Sequence, residues 1–434
     1  MMAVASGEHL ATKKEETMQA KGRWHVTGRF VTLIGGLVLG SAQFIGAPLN
    51  AADPIKVGWV GPLTPPGGYA EGALMKQAAE LAAEEINAKG GVLGRQIQVI
   101  YQDTHGQPEE GTAAAERLIS QEHVVAITGE FHSSVFLAEM EVAHNAGIPI
   151  IAVDVWALKI TAKGYPEVVR VAPNQALIAT KYGDWIAAAG FKQVAFIYEK
   201  TDGGQSARDV LLPVLDKHGV KYDVVGADPN ITEFTAQIER FKNHSPPYDF
   251  LMTAYSEAGA YPMISQSHTL GFAPTAHTGI ANSGGPAVDP TFWKNVGEAG
   301  KYLITEIVGL PKNAWTDKTK TFVEAFKKKY NQPASPQAIE NYDAMLVLAD
   351  AIARANSTDG KAIIAALEQT DLVLGRGRYR FSTGHTPDWA YHQFMDAPVA
   401  LIQYDKVDQP AEDAPIVWPR DIADAKYTYL KPGQ

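Results

Sequence analysis

The chain is predicted to be an α/β protein made of two doubly wound, parallel-sheet lobes. Three observations predict this. Short, apolar, β-branched runs such as Ile55 to Val60, Val124 to Thr128 and Val194 to Tyr198 alternate with amphipathic stretches of helical length, the rhythm of a parallel sheet covered by helices. There are too many such units for one open sheet, and they divide into two sets near Ala172 to Gln175. The chain has 434 residues, 46% hydrophobic and 20% charged. That length allows two or three domains, and that composition is globular.

Each element follows from its local pattern. Ile55 to Val60 (IKVGWV) is the first strand, and GPLTPPGGYAEG is a loop rich in glycine and proline. Ala73 to Ala88 has Leu74, Ala78, Leu81 and Ala82 on one helical face and stops at Lys89-Gly90-Gly91. Gln96 to Tyr101 is a strand; Pro108 to Gln121 is a helix, with its proline suited to the first turn. Val124 to Thr128 is a buried strand, Val135 to Ala146 a helix ended by Gly147, and Ile148 to Val153 the next strand. In the second set, Ile178, Tyr182, Trp185, Ile186 and Ala189 mark a helix, and Val194 to Tyr198 a strand. Val210, Leu211, Val214 and Leu215 mark another helix; Val224-Val225 and Phe250 to Thr253 are strands around a helix near Phe234 to Phe241. From Tyr302 come a strand and helices over Lys318 to Tyr330, Asn341 to Ala355 and Lys361 to Leu367. Pro333, Pro336 and the last 40 or so residues read as loops.

Two strand exits stand out within Ile127 to Thr161. GEFHSS follows the strand at Thr128, which puts Ser133 or Ser134 where a helix N-cap belongs. Unpaired backbone N–H groups and the positive end of the helix dipole favour a carboxylate or another oxygen-rich group there. Asp154 and Trp156 follow the next strand. In open α/β sheets, ligands bind at this carboxyl edge.

Composition excludes several function classes. The net charge of -10 argues against nucleic acid and anionic membrane. With no cysteine there are no disulfides, thiolate metal sites or cysteine nucleophiles. The histidines lack HExxH or paired spacing, so no metal is expected. No GxSxG elbow and no phosphate-binding loop is present, so neither a cofactor nor a catalytic residue is expected. At the N-terminus, Lys21, Arg23 and Arg29 precede the apolar run Phe30 to Leu39 and then SAQFIGAPLNAAD. This is the pattern of a secretory signal, with cleavage after Ala51 expected. The run is about half the length of a membrane span, although an uncleaved anchor is the alternative.

IKVGWVGPLTPPGGYAEGALMKQAAELAAEEINAKGGVLGRQIQVIYQD resembles the opening of the type I periplasmic solute-binding proteins of the leucine/isoleucine/valine-binding (branched-chain amino acid ABC transporter) family. GFKQVAFIYEKTDGG resembles the opening of that family's second lobe, and the similarity runs from about Ile55 to Phe394. The resemblance implies two lobes joined by a three-strand hinge, closing on a ligand between them. Crossings are expected near Ala172-Pro173, Lys301 to Glu306 and Asp371 to Leu374. That gives 52–172 plus 303–372 for lobe 1, 173–302 plus 373–405 for lobe 2, and 406–434 as a tail. It implies a monomeric periplasmic protein, without enzymatic activity, that delivers a small solute to an ABC permease in the inner membrane. A ligand-sensing domain of a signalling system on the same fold is the alternative.

The resemblance also places site residues. Tyr69 matches an aromatic beside the ligand, and Ser133 the serine that takes its carboxylate. Asp154 and Trp156 stand where the family has a small residue and a threonine. The family's second-lobe tyrosine falls near Asp202 or Gly203. Its amine-pairing glutamate falls near Thr278 to Ala281, where this chain has no acid. Weak leucine binding is therefore expected. With Phe131, His132, Ser134, Tyr255 and Glu257 these complete the candidate ligand set. The plainer readings are a helix cap for the serines, an exposed loop tyrosine for Tyr69, edge packing for Trp156, a loop cap for Asp154, a solvated His132 and a helix start at Glu257. Aromatics at four of these positions suit a flat or apolar solute.

Overall fold

The computed structural model describes residues 53–424 and 429–433. The signal segment and its cleavage site lie outside the described residues. Among the described residues no helix is long and apolar enough to cross a membrane.

The first set of elements is β1 (Ile55–Gly61), α1 (Tyr69–Ala88), β2 (Ile97–Asp103), α2 (Pro108–Ser120), β3 (Ala126–Gly129), α3 (Ser133–Ala146), β4 (Ile150–Ala152), α4 (Lys159–Ala162) and β5 (Val168–Arg170). The second set is α5 (Gln175–Ala188), β6 (Gln193–Glu199), α6 (Asp202–Lys217), β7 (Lys221–Ala227), α7 (Thr235–Lys242), β8 (Phe250–Ala254), α8 (Ala260–Thr269), β9 (Gly279–Ser283), α9 (Phe292–Val296) and β10 (Ile304–Ile307). The chain then adds α10 (Asp317–Tyr330), α11 (Pro336–Ala355), α12 (Gly360–Glu368), the hairpin β11 (Leu372–Leu374) and β12 (Gly377–Tyr379), and finally β13 (Ala400–Gln403) and β14 (Ile416–Trp418).

Two sheets result, each with its own core. The first runs β2-β1-β3-β4-β5 and is wholly parallel. Its faces are filled on one side by Trp59, Met75, Ile151 and Leu348, and on the other by Val60, Phe136, Met140 and Ile160. Trp59 is fully buried, and its indole N–H is satisfied by Asn341 Oδ1 on α11 at 3.0 Å. The second sheet runs β14-β13-β10-β9-β8-β6-β7. The five strands from β10 to β7 are parallel, while at the other edge β13 pairs antiparallel with β10 and β14 antiparallel with β13. The continuous apolar character of β1, β6 and β8 is explained by this burial on both faces.

Two expected crossings lie elsewhere. β10 pairs with β9 and β13, so it belongs to the second sheet, and the crossing follows it at 308–316. Asp371 to Leu374 leads into the hairpin, not across to the second lobe. Asp343 of α11 accepts the N–H groups of Gly375 at 3.0 Å and Arg376 at 2.9 Å, and the hydroxyl of Tyr379 at 2.9 Å. These bonds tie the hairpin to the first lobe, where Leu374, Tyr379, Phe381 and Phe394 join the core. The third crossing therefore lies between Phe394 and Ala400. The crossing after β5 spans 171–174, between the end of β5 and the start of α5. The expected 406–434 tail holds β14, which pairs with β13, so part of it is built into the second sheet. Pro336 opens α11 and is not in a loop: Ser335 Oγ caps Ala338 N–H at 3.1 Å, and proline fits the first helical position.

Candidate functional site

Each sheet reverses its strand order once in its parallel part, between β1 and β3 in the first and between β6 and β8 in the second. Loops that leave neighbouring strands at such a point diverge and open a crevice. Here the two crevices face each other and enclose a cavity of about 290 Å³.

The first-lobe wall is organised by Glu130. It follows the buried end of β3 and holds a left-handed backbone with φ of +67°. One carboxylate oxygen accepts the N–H groups of Phe131 and His132, both at 2.9 Å. The other accepts the Thr104 hydroxyl at 2.9 Å. The turn is thereby clamped and α3 starts at the cavity. Gly129 is required beside it: its φ is +118°, and a Cβ would lie 2.1 Å from the carbonyl oxygen of Val60.

Ser133 is the first helical residue, and the cap position belongs to His132, whose side chain makes no cap bond. The expected serine cap is thus corrected by one residue. Ser133 Oγ instead accepts the N–H groups of Trp156 and Ala157, both at 3.1 Å, and so ties the loop after β4 to α3. The backbone N–H groups of Ser133 and Ser134 have no acceptor among the described residues. Trp156 is held from behind. Its indole N–H donates to Asp154 Oδ1 at 2.9 Å. The buried Arg170 donates to the carbonyl of Ala157 at 2.6 Å and to the Thr161 hydroxyl at 2.9 Å.

The second-lobe wall is organised by Glu199 at the end of β6. It accepts the hydroxyls of Thr201 at 2.9 Å and Ser256 at 3.1 Å. It also accepts the N–H groups of Ser256 and Glu257, both at 3.2 Å. Two loops are thus tied to one carboxylate, and Glu257 is turned across the cleft.

The lobes meet through polar contacts around the cavity. His132 Nε2 pairs with Glu257 Oε1. Gly68 N–H donates to Glu257 Oε2 at 3.2 Å, Asp202 N–H to Ser134 Oγ at 3.2 Å, and Leu158 N–H to Ser206 Oγ at 3.1 Å. Lys159 and Asp202 make a peripheral ion pair at 3.0 Å. This is a closed cleft.

Burial and neighbouring charge set the protonation states. Burial disfavours charge on His132, but Glu257 and Glu130 hold its proton and push it up to about 10, so it is an imidazolium. Glu257 is also buried, yet His132 holds it below the usual carboxylate range. Glu199 is raised to about 7, first by burial and then by the charge of Glu257. Asp154 is held well above its usual range by burial and by Glu340 behind it. Glu340 is itself raised to about 8 by burial, against the pull of Arg376 at 2.7 Å. Among the described residues no group of three or more His, Asp or Glu side chains is placed to hold a metal ion.

Of the predicted residues, Phe131, His132, Ser133, Ser134, Asp154, Trp156 and Glu257 line the cavity. Three do not. Tyr69 opens α1 and is 51% exposed. Tyr255 is buried in the second core, edge-on to Phe234, with its hydroxyl donating to the carbonyl of Asp228 at 3.1 Å. Asp202 turns its carboxylate to Lys159, while its neighbours Thr201 and Gly203 line the cavity. The exit of β9 that faces the cavity is Ser283 to Gly285, beyond the expected Thr278 to Ala281, and it too carries no acid. Sequence reasoning missed Glu130, Glu199 and Gln175. For the two glutamates a signal existed, since each stands at the carboxyl end of an apolar strand, where an acid can accept loop N–H groups.

Comparison with known proteins gives a consistent result. A family model described as periplasmic binding protein matches residues 54–407. The chain is 28% identical over 357 residues to a Leu/Ile/Val-binding protein homolog of Brucella suis, covering 78% of this chain and 87% of that one. The fold matches a Streptococcus pneumoniae branched-chain amino acid transporter substrate binding protein in complex with isoleucine, with TM-score 0.72, 20% identity, and 84% and 100% coverage. It also matches a Rhodopseudomonas palustris solute binding protein of an ABC transporter in complex with 3,4-dihydroxy benzoic acid, with TM-score 0.71, 22% identity, and 82% and 94% coverage.

Proposed function

The chain belongs to the periplasmic binding protein family, and from that premise we propose that it is the extracytoplasmic solute-binding component of an ABC importer. It is not an enzyme; it works in the periplasm and hands its solute to a membrane permease. The solute is a small carboxylate with an apolar or aromatic body, held in the cleft and released as the lobes hinge apart.

One observation carries this reading. The N–H groups of Ser133 and Ser134, at the α3 end of the cavity, have no acceptor among the described residues. They stand together at a helix N-terminus, beside an imidazolium, where the dipole and the unpaired donors favour an anion. Phe131, Trp156 and Ala254 supply apolar wall, and burying an apolar body against such walls contributes most of the binding energy. The two ligands named in the matching structures, isoleucine and 3,4-dihydroxy benzoic acid, differ in body and share a carboxylate.

A thermal-shift screen of amino acids, amides and aromatic acids tests it. A true ligand at 100 times its dissociation constant adds about 2.7 kcal/mol of stability. A screen in which amides without a carboxylate stabilise as well as the acids contradicts the reading.

A further inference from the structure

Four carboxyl groups line the cavity or stand directly behind its wall, and none offers a free anion. Both oxygens of Glu130 hold donors of the first lobe, and both oxygens of Glu199 hold donors of the second. Glu257 gives one oxygen to His132 and the other to Gly68 N–H. Asp154 gives Oδ1 to the Trp156 indole; its Oδ2 is buried without a partner among the described residues, and burial with Glu340 behind it holds the carboxyl well above its usual range, in its neutral form. A buried acceptor left over at this wall, Gln175 Oε1, belongs to a neutral amide.

Donors are in the opposite condition. The N–H groups of Ser133 and Ser134 are unengaged among the described residues. Ser133 Oγ accepts two N–H groups, and a hydroxyl that accepts twice still has its own hydrogen to give. Ser134 Oγ accepts one. The cavity therefore has donors to offer and no free anion. An ammonium brings three donors and a positive charge, and its natural partner, Glu257, already faces a cation.

Building on the reading of the α3 end as the place of the ligand's carboxylate, we propose that His132 is a built-in substitute for a ligand ammonium. By pairing with Glu257 across the cleft it selects carboxylates that carry no amine: aromatic, hydroxy or keto acids in place of α-amino acids. His132 is in this sense a specificity residue.

Calorimetry on the mature protein with matched probes tests the proposal. The pairs are 3-phenyllactate with L-phenylalanine and 2-hydroxy-4-methylpentanoate with L-leucine; benzoate and benzamide serve as a third, control pair. The expected result is that a hydroxy acid binds at least tenfold tighter than its amino counterpart. In a His132→Gln variant, with fold checked by circular dichroism, Glu257 is released and that ratio falls at least tenfold. An amino acid that binds the natural protein as tightly as its hydroxy partner overturns the proposal, as does a ratio unmoved in the folded variant. If the variant does not fold, the ratio in the natural protein decides alone. Benzamide binding as well as benzoate, or no binding by any acid, overturns the carboxylate reading itself and this proposal with it.

Discussion

The two lobes bring similar polar edges to the cleft and use them differently. The first lobe uses Glu130 to aim a helix N-terminus at the cavity and leaves the N–H groups of Ser133 and Ser134 unengaged among the described residues. The second lobe uses Glu199 to fold its own loops and sends Glu257 across to His132. On the proposed reading, one lobe receives the solute and the other locks over it. The difference teaches that polar residues lining a cleft are not all ligand contacts. What separates the roles is whether a group's hydrogen-bonding capacity is already used.

The sharpest way to break this division is at Ser133. Replacing it by alanine leaves the buried N–H groups of Trp156 and Ala157 without their acceptor. Each such loss costs roughly 1–3 kcal/mol. Thermal unfolding is expected to show that loss, and calorimetry a fall of tenfold or more in solute affinity. A Ser133→Ala protein with unchanged affinity breaks the claim that the first lobe receives.

The lock is tested at Glu257. A Glu257→Gln variant keeps the shape and removes the charge that His132 faces. Hydrogen bonds to charged groups contribute about 1.5–3 kcal/mol, and here they join the lobes. Small-angle scattering is expected to show a larger radius of gyration without solute. An unchanged radius removes the lock.

Titration sharpens the same point. His132 is raised from 6.5 to about 10, so its contribution is fully present below pH 6.5 and is lost as the pH rises through about 10. Glu257 is lowered from its usual 4.5, so its contribution is present above that pH and lost as the pH falls through its depressed value. Glu130, Glu199 and Glu71 stand near the pair and add to the alkaline repulsion. Closure, followed by scattering, is expected to weaken at both ends of a pH series. A closure that strengthens from pH 7 to 10 contradicts the assignment.

The smallest effects are expected outside the cavity. Lys159→Ala removes an ion pair in which Lys159 is largely exposed, worth about 0–1 kcal/mol. Tyr69→Ala removes a side chain that is half exposed. Calorimetry is expected to find less than a twofold change for either. A large loss at Tyr69 places that residue on the ligand after all.

The fold was legible because its signals are local. Buried strands such as β1, β3, β6 and β8 are short, apolar and β-branched, and Gly147, Gly190 and Gly219 each mark a helix end. The two displaced crossings depend on distant partners instead. Nothing near Ile304 says that it pairs with Gln403, and nothing near Gly375 says that Asp343 waits for it. The same limit governed the site. The helix start at Ser133 is a local pattern, and it was read to within two residues. Tyr255 and Glu257 are two residues apart and would share a face if β8 continued, but the strand ends at Ala254 and Glu199 turns the chain, so one side chain enters the core and the other crosses the cleft. Glu199 looks like a strand's last residue until the loops that it ties are known.

The central claim is that the solute's carboxylate rests on the first-lobe helix while the second lobe closes over it. A crystal structure of the mature protein with the tightest acid from the thermal-shift screen tests this most directly. The account predicts a carboxylate within hydrogen-bonding distance of the N–H groups of Ser133 and Ser134, with His132 and Glu257 still paired above it. An acid bound with its carboxylate against the second lobe, or outside the cleft altogether, contradicts it.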